Sequence, residues 1–223
     1  MHQRISKKII IYLFFFLILV SINNIHFLNL KFPNIITLNF FGLSDQEIKI
    51  FKKEFNFLKK KNLLFLDEVE IKKIFYSNNI VEDLTVFKTY PSELKIFIKK
   101  TKIFAITKKD NRNYLIGSNG NLIATKNMDK NLPFIFGNVE PDEFLKLKNY
   151  IDDSDFNFNQ IKDLYFFKSK RWDIETKDGL IVKLPLTNIE KSLNYLSKIM
   201  ISEKFNNKKV IDLRQKNQII FND

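Results

Sequence analysis

From Ile9 to Ile22 the chain runs without a charged residue, and the uncharged stretch continues through Leu28. The fourteen-residue core alone suits a signal peptide. As a helix, however, residues 9–28 cover about 30 Å, the thickness of a bilayer's hydrocarbon core. No A-x-A cleavage site follows, which favours an uncleaved transmembrane span. Arg4, Lys7 and Lys8 precede the run and only Lys31 lies close behind it. The positive-inside rule keeps residues 1–8 in the cytoplasm and exports the chain from about residue 30 onward.

Beyond Pro33 the pattern alternates between two periods. Residues 34–43 read as a strand rich in Ile and Phe, stopped by Gly42. Ser44 and Glu47 form an S-x-x-E capping box, with Leu43 and Ile48 at the staple positions. Ile48, Phe51, Phe55 and Leu58 continue as a helical stripe. The arrangement repeats with Asp67 and Glu70 as the box, Leu66 and Ile71 as the staple, and Ile71, Ile74 and Phe75 as the stripe. Two alternating segments follow, one with Leu84 and Val86 on a face and one with Leu94, Ile96 and Ile98, joined by the turn Tyr90-Pro91-Ser92-Glu93. The order strand, helix, helix, strand, strand predicts a three-stranded sheet with both helices on one face.

From about residue 103 strands and tight turns dominate. Asn119-Gly120 predicts a two-residue hairpin between 114–116 and 122–124. Asp178-Gly179 predicts a second one, between the alternating sets Trp172, Ile174, Thr176 and Leu180, Val182, Leu184. One helix is expected from Pro141 to Ile151, carrying Phe144 and Leu147. Another is expected to open at Thr187 and Glu190, carrying Ile189, Leu193, Leu196 and Met200. Val210 to Leu213 reads as a last strand. The fold class is α+β.

Composition narrows the chemistry. The formal charge is +12, but only Arg4, Arg112, Arg171 and Arg214 of the 37 basic residues are Arg. Lys, Asn, Ile and Phe abound, which matches compositional drift better than nucleic-acid readout, where Arg leads. The absence of Cys removes disulfides, thiolate metal sites and thiol nucleophiles. His2 and His26 lie in or beside the span, which excludes a Ser-His-Asp triad or histidine metal centre in the body. Asp152, Asp153 and Asp155 lack calcium-loop spacing and read as a solvated helix end. Trp172 reads as core. Arg171 is either solvated or paired with an acidic group. No catalytic residue, cofactor, metal or small-molecule substrate is expected.

Three stretches resemble the FtsQ/DivIB family of cell division proteins. They are Tyr90-Pro91-Ser92-Glu93-Leu94-Lys95-Ile96; Lys170-Arg171-Trp172-Asp173-Ile174 followed by Asp178-Gly179 and Lys183-Leu184-Pro185; and Ile211-Asp212-Leu213-Arg214. They occur in the family's order behind an N-terminal span. The sequence departs from the family at Lys99, Lys100 and Ile103, where Glu and Pro are frequent, and at Gln215, where some relatives carry Tyr.

The resemblance implies a POTRA domain over residues 34–102 and an FtsQ-type, mainly antiparallel β domain with helices over 103–223. It implies a single-pass inner-membrane protein, bulk periplasmic and enriched at the division septum. Its function would be that of a non-enzymatic scaffold recruiting the FtsB–FtsL pair and linking early and late division proteins. A POTRA-bearing polypeptide-transport chaperone is the alternative. The expected partner site is an exposed strand edge over 210–218 with contacts from Leu213, Arg214, Gln215, Ile219, Ile220 and Phe221. Arg214 would meet an acidic group and Phe221 would serve as anchor, unless Ile219 to Phe221 pack on their own domain.

Overall fold

The computed structural model describes residues 7–23, 33–126, 131–200, 209–215 and 218–222. Helix α1 (Lys7–Asn23) takes up the apolar N-terminal run, and its 17 residues make about 25 Å. Its large side chains from Ile9 to Val20 are exposed. Among the described residues no helix is long and apolar enough to cross a membrane. Residues 24–28 of the expected span lie outside the described residues, as do His2 and His26.

The first sheet contains β1 (Thr37–Phe41), β2 (Val81–Thr89) and β3 (Glu93–Lys100) in the order β1-β3-β2. β1 runs parallel to β3, and β2 antiparallel to it. Helices α2 (Asp45–Glu54) and α3 (Glu68–Tyr76) supply the other half of its core. The period-2 residues Leu38, Phe40, Leu84, Leu94, Ile96 and Ile98 are buried against the helical residues Phe51, Phe55, Ile71 and Phe75. Phe rings dominate the packing: Phe55 stacks on Phe75 at 4.1 Å, and Phe40 meets Phe51 edge-on at 5.9 Å. β1 is shorter than the expected strand at both ends. Asn34 forms an isolated bridge with Asn62 instead. Gly42 ends the strand at φ 85°, where a Cβ would lie 2.0 Å from the Ile98 carbonyl oxygen.

The capping box of α2 forms. Glu47 accepts from the Ser44 N–H at 2.8 Å and from its hydroxyl at 2.7 Å, and Lys100 on β3 reaches the same carboxylate at 2.6 Å. Burial pushes the Glu47 carboxyl up, but the bonds from Lys100 and Ser44 outweigh it and hold it down at about 2. At α3, Asp67 caps the Val69 N–H at 3.0 Å. The reciprocal half of that expected box is absent, because Glu70 pairs with Lys61.

The second sheet has nine strands in the order β12-β11-β10-β9-β8-β7-β4-β5-β6. They are β4 (Ile103–Lys109), β5 (Arg112–Gly117), β6 (Leu122–Thr125), β7 (Phe134–Phe136), β8 (Ile161–Phe166), β9 (Trp172–Thr176), β10 (Ile181–Lys183), β11 (Val210–Asp212) and β12 (Ile220–Asn222). The parallel pairs are β4/β7, β7/β8 and β10/β11; the other five are antiparallel, so the sheet is mixed and mainly antiparallel. Helices α4 (Pro141–Asp152) and α5 (Ile189–Met200) bury Phe144, Leu147, Ile151, Leu193 and Leu196 in its core. Trp172 is buried there as expected and packs on Phe166 at 4.7 Å. α5 starts two residues after Thr187, with Asn188 at φ 57° just before it. Asp152, Asp153 and Asp155 are exposed at the end of α4, as expected, and Asp152 also pairs with Lys148, whose amine lies 4.7 Å from the centres of the Phe104 and Phe158 rings.

The loop between β5 and β6 corrects another expectation. It spans four residues, 118–121, and Asn119 serves a longer-range purpose. Its Nδ2 donates to the carbonyls of Asn79 and Val81, both at 3.1 Å, at the start of β2. Asn79 Nδ2 donates in return to the Leu122 carbonyl at 2.8 Å. Ser118 donates its hydroxyl to Glu82. This clasp joins the two sheets through groups that a two-residue turn would have left in solvent.

Two stability predictions follow from the caps. Asp67→Ala should cost about 1 kcal/mol, read from chemical denaturation in detergent. Glu47 has a folded-state pKa lowered from 4.5 to about 2, so its stabilising effect is present above pH 4.5 and disappears as pH falls towards 2. Melting temperatures of wild type and Glu47→Gln should therefore differ at neutral pH and converge near pH 2. Parallel curves across that window would contradict the assignment.

Candidate partner-binding site

The separated motifs of the second half meet on three adjacent strands. On β9 Trp172 turns into the core and Asp173 to the other face. On β10 Lys183 pairs in register with Asp173 on one side and with Asp212 of β11 on the other. Both flanking carboxylates are further held by an Arg two residues away. Arg171 Nε donates to Asp173 at 3.2 Å while its guanidinium lies 4.4 Å from the centre of the Phe167 ring. Arg214 Nε donates to both Asp212 oxygens, at 2.8 and 2.9 Å, Nη2 adds a third bond, and the Arg214 N–H donates at 3.0 Å.

The two carboxylates respond in opposite directions. Burial pushes the Asp173 carboxyl up, against the pull of Arg171, Lys183 and Arg214. Asp212 is held below the usual range, first by its bonds from Arg214. Arg171, left open by the sequence, is therefore paired. Arg214, expected to await an acidic group from a partner, already has one from its own strand, though its side chain stays 38% exposed.

The expected strand edge is also relocated. β11 is flanked by β10 on one side and β12 on the other, so neither of its edges is open. Among the described residues the sheet ends at β12, Ile220–Asn222, a segment whose sequence reads as an apolar tail. Residues 216–217 of the expected edge lie outside the described residues. Leu213 is buried, so its side chain is a core residue rather than a contact. Phe221 is half-buried and packs against the large core, which is the docked arrangement for that ring. Gln215 and Ile219 are exposed, and Ile220 is 48% exposed.

Beside this edge lies a cavity of about 700 Å³, lined among others by Pro185, Lys191, Tyr195, Arg214, Gln215 and Ile219. Lys191 and Tyr195 are its unforeseen members. Both follow from the helical period: Leu193 and Leu196 face the core, which leaves 191 and 195 on the outer face, and an exposed Tyr there was the available signal. Among the described residues, no group of three or more His, Cys, Asp or Glu side chains is placed to hold a metal ion.

Residues 105–214 match the family model for the C-terminal region of cell division protein FtsQ/DivIB. The FtsQ of Rickettsia bellii is 28% identical over 170 residues, 74% of this chain and 63% of that protein. The FtsQ of Bradyrhizobium diazoefficiens is 26% identical over 169 residues, 72% of this chain and 48% of its own length. The chain thus spans about half to two thirds of the length of these relatives. A solved extracytoplasmic domain of DivIB from Geobacillus stearothermophilus overlaps at a TM-score of 0.36 with 14% identity, over 49% of this chain and 99% of that one. With the Lys170–Pro185 and Ile211–Arg214 motifs gathered on β9, β10 and β11 inside it, the matched region of residues 105–214 belongs to the FtsQ/DivIB family of cell division proteins.

Proposed function

We propose that this chain is a non-enzymatic scaffold of the divisome, anchored by α1 with its N-terminus in the cytoplasm and its body in the periplasm. Residues 34–102 act as a POTRA domain and 103–223 as the β domain that recruits the FtsB–FtsL pair at the septum. The exposed apolar side chains of α1 and the basic residues Arg4, Lys7 and Lys8 support the anchored reading.

The observation that carries partner capture is the terminal position of β12 in the large sheet, next to the cavity at Arg214. A strand at a sheet edge offers N–H and C=O groups to an incoming strand, whose backbone bonds supply affinity while side chains supply selectivity. Exposed Ile219 and Ile220 give the apolar contact, and Lys191 with the exposed part of Arg214 favours an acidic partner segment.

Three outcomes are expected. A periplasm-active reporter fused after Asp223 should be active, and activity confined to a cytoplasmic reporter would reverse the topology. Ile219→Asp with Ile220→Asp should weaken capture of purified FtsB–FtsL by at least roughly tenfold, with unchanged circular dichroism and melting temperature. Phe221→Ala should instead lower stability by roughly 2 kcal/mol, since it removes a half-buried ring from the core. Full affinity in the double variant would move the site away from β12.

A further inference from the structure

The segment between α2 and α3 carries an exposed apolar patch inside a basic surround. Its 3₁₀ turn, Asn56–Lys60, and the bend that follows are pinned from within by Leu58, Leu63 and Leu66, all buried. The Asn62 side chain accepts from the Leu64 N–H at 2.8 Å and shapes the bend. With Leu63 and Leu66 facing inward, the residues between them face solvent: Leu64 is 46% exposed and Phe65 82%, and Phe57 on the turn is 42% exposed. Residues 52–65 hold five Lys and a single acid, Glu54. Lys61 is committed to Glu70, whereas Lys59 and Lys60 are exposed and have no acidic partner within 4 Å among the described residues.

This segment is also where the body is tied to the chain arriving from α1. Ile35 N–H donates to the Lys61 carbonyl at 3.0 Å, Asn62 Nδ2 donates to the Pro33 carbonyl at 3.2 Å, and Asn34 bridges Asn62. Ten peptide steps separate Asn23, the end of α1, from Pro33. They span at most about 35 Å even when extended, so the patch is tethered close to whatever surface holds α1.

From this tether, the exposed rings and the unpaired lysines, we infer that the patch docks on the surface of an anionic bilayer. Phe57, Leu64 and Phe65 enter the interfacial layer, and Lys59 and Lys60 sit against lipid headgroups. Aromatic and aliphatic tips flanked by lysines match the two layers of such an interface, apolar below and anionic above. The inference rests on the anchored reading of α1. Its consequence is that the first sheet is oriented on the membrane, which sets the direction in which the second sheet extends from it.

The chain's lack of Cys permits single spin labels on the full-length protein in nanodiscs. Labels at Phe65→Cys and, separately, Phe16→Cys would be compared in neutral lipid and in lipid containing phosphatidylglycerol, using accessibility to oxygen and to a water-soluble nickel complex. The expected result is bilayer-depth accessibility at 16 in both lipids. Residue 65 should show interfacial depth with phosphatidylglycerol, and its docked-to-undocked ratio should fall roughly fivefold for each of Lys59→Gln and Lys60→Gln. A label at 65 that stays in water while 16 is buried overturns the docking and leaves the anchor standing, assigning the patch to a protein partner. A label at 16 that stays in water overturns both. Depth at 65 that ignores both lysines and headgroup charge overturns the electrostatic half of the inference and with it the stated anionic specificity.

Discussion

The register of Lys183 between Asp173 and Asp212 is the constraint on which the β9–β12 end of the second sheet depends. β10 and β11 have three residues each, too few for ladder hydrogen bonds alone to select a register strongly. A slip of one residue would turn Lys183 into the apolar core and bring Val182 to the charged face. It would also take Lys183 away from Asp173, already raised by burial, and leave that carboxylate to Arg171 alone on its own strand side. Alternation of charge across the strands therefore selects one alignment. That alignment turns Ile174, Val182 and Ile211 inward under α4 and α5.

The same alignment explains the local pairs. Arg171 and Arg214 each lie two residues from the aspartate they hold, so each pair stays on one face of its strand or its extension. Asp212 also accepts from the Arg214 backbone, which bends the chain out of β11 immediately after Leu213 enters the core. The chain returns as β12 against β11, with Phe221 on the core side opposite Ile211. The position of the terminal strand β12 thus follows from the charge ladder two strands away.

The two sheets have separate Phe-rich and aliphatic cores, yet they are fastened by side-chain amides. Asn119 and Asn79 exchange bonds with backbone carbonyls, and Thr101 joins through Ser118. An amide presents donors and an acceptor in one plane, so two Asn residues can satisfy several loop carbonyls that neither sheet reaches. Position and orientation of the two halves are coupled by directional bonds rather than by a large apolar contact, and the coupling therefore depends on a few named residues.

The sequence by itself determined what depends on neighbours a few positions apart. The 3.6 and 2.0 periods placed the helices and the inward residues of the first sheet. S-x-x-E marked the start of α2, Asp67 capped α3, and Asp178-Gly179 turned the chain between β9 and β10, with Gly179 at φ 87°. The family motifs were legible as short strings in order. Only the tertiary structure decided what the strings face. Asn119-Gly120 has the composition of a tight hairpin, and its amide is taken by carbonyls some forty residues earlier in the chain. The strand at 210–212 has the look of an open edge, and a later three-residue strand covers it. Arg214 has the look of a free cation, and Asp212 occupies it. Local spacing fixes which side of an element a residue occupies, whereas the occupant of the opposite side comes from anywhere in the chain, and pairing energy between distant segments is settled only when the chain is folded.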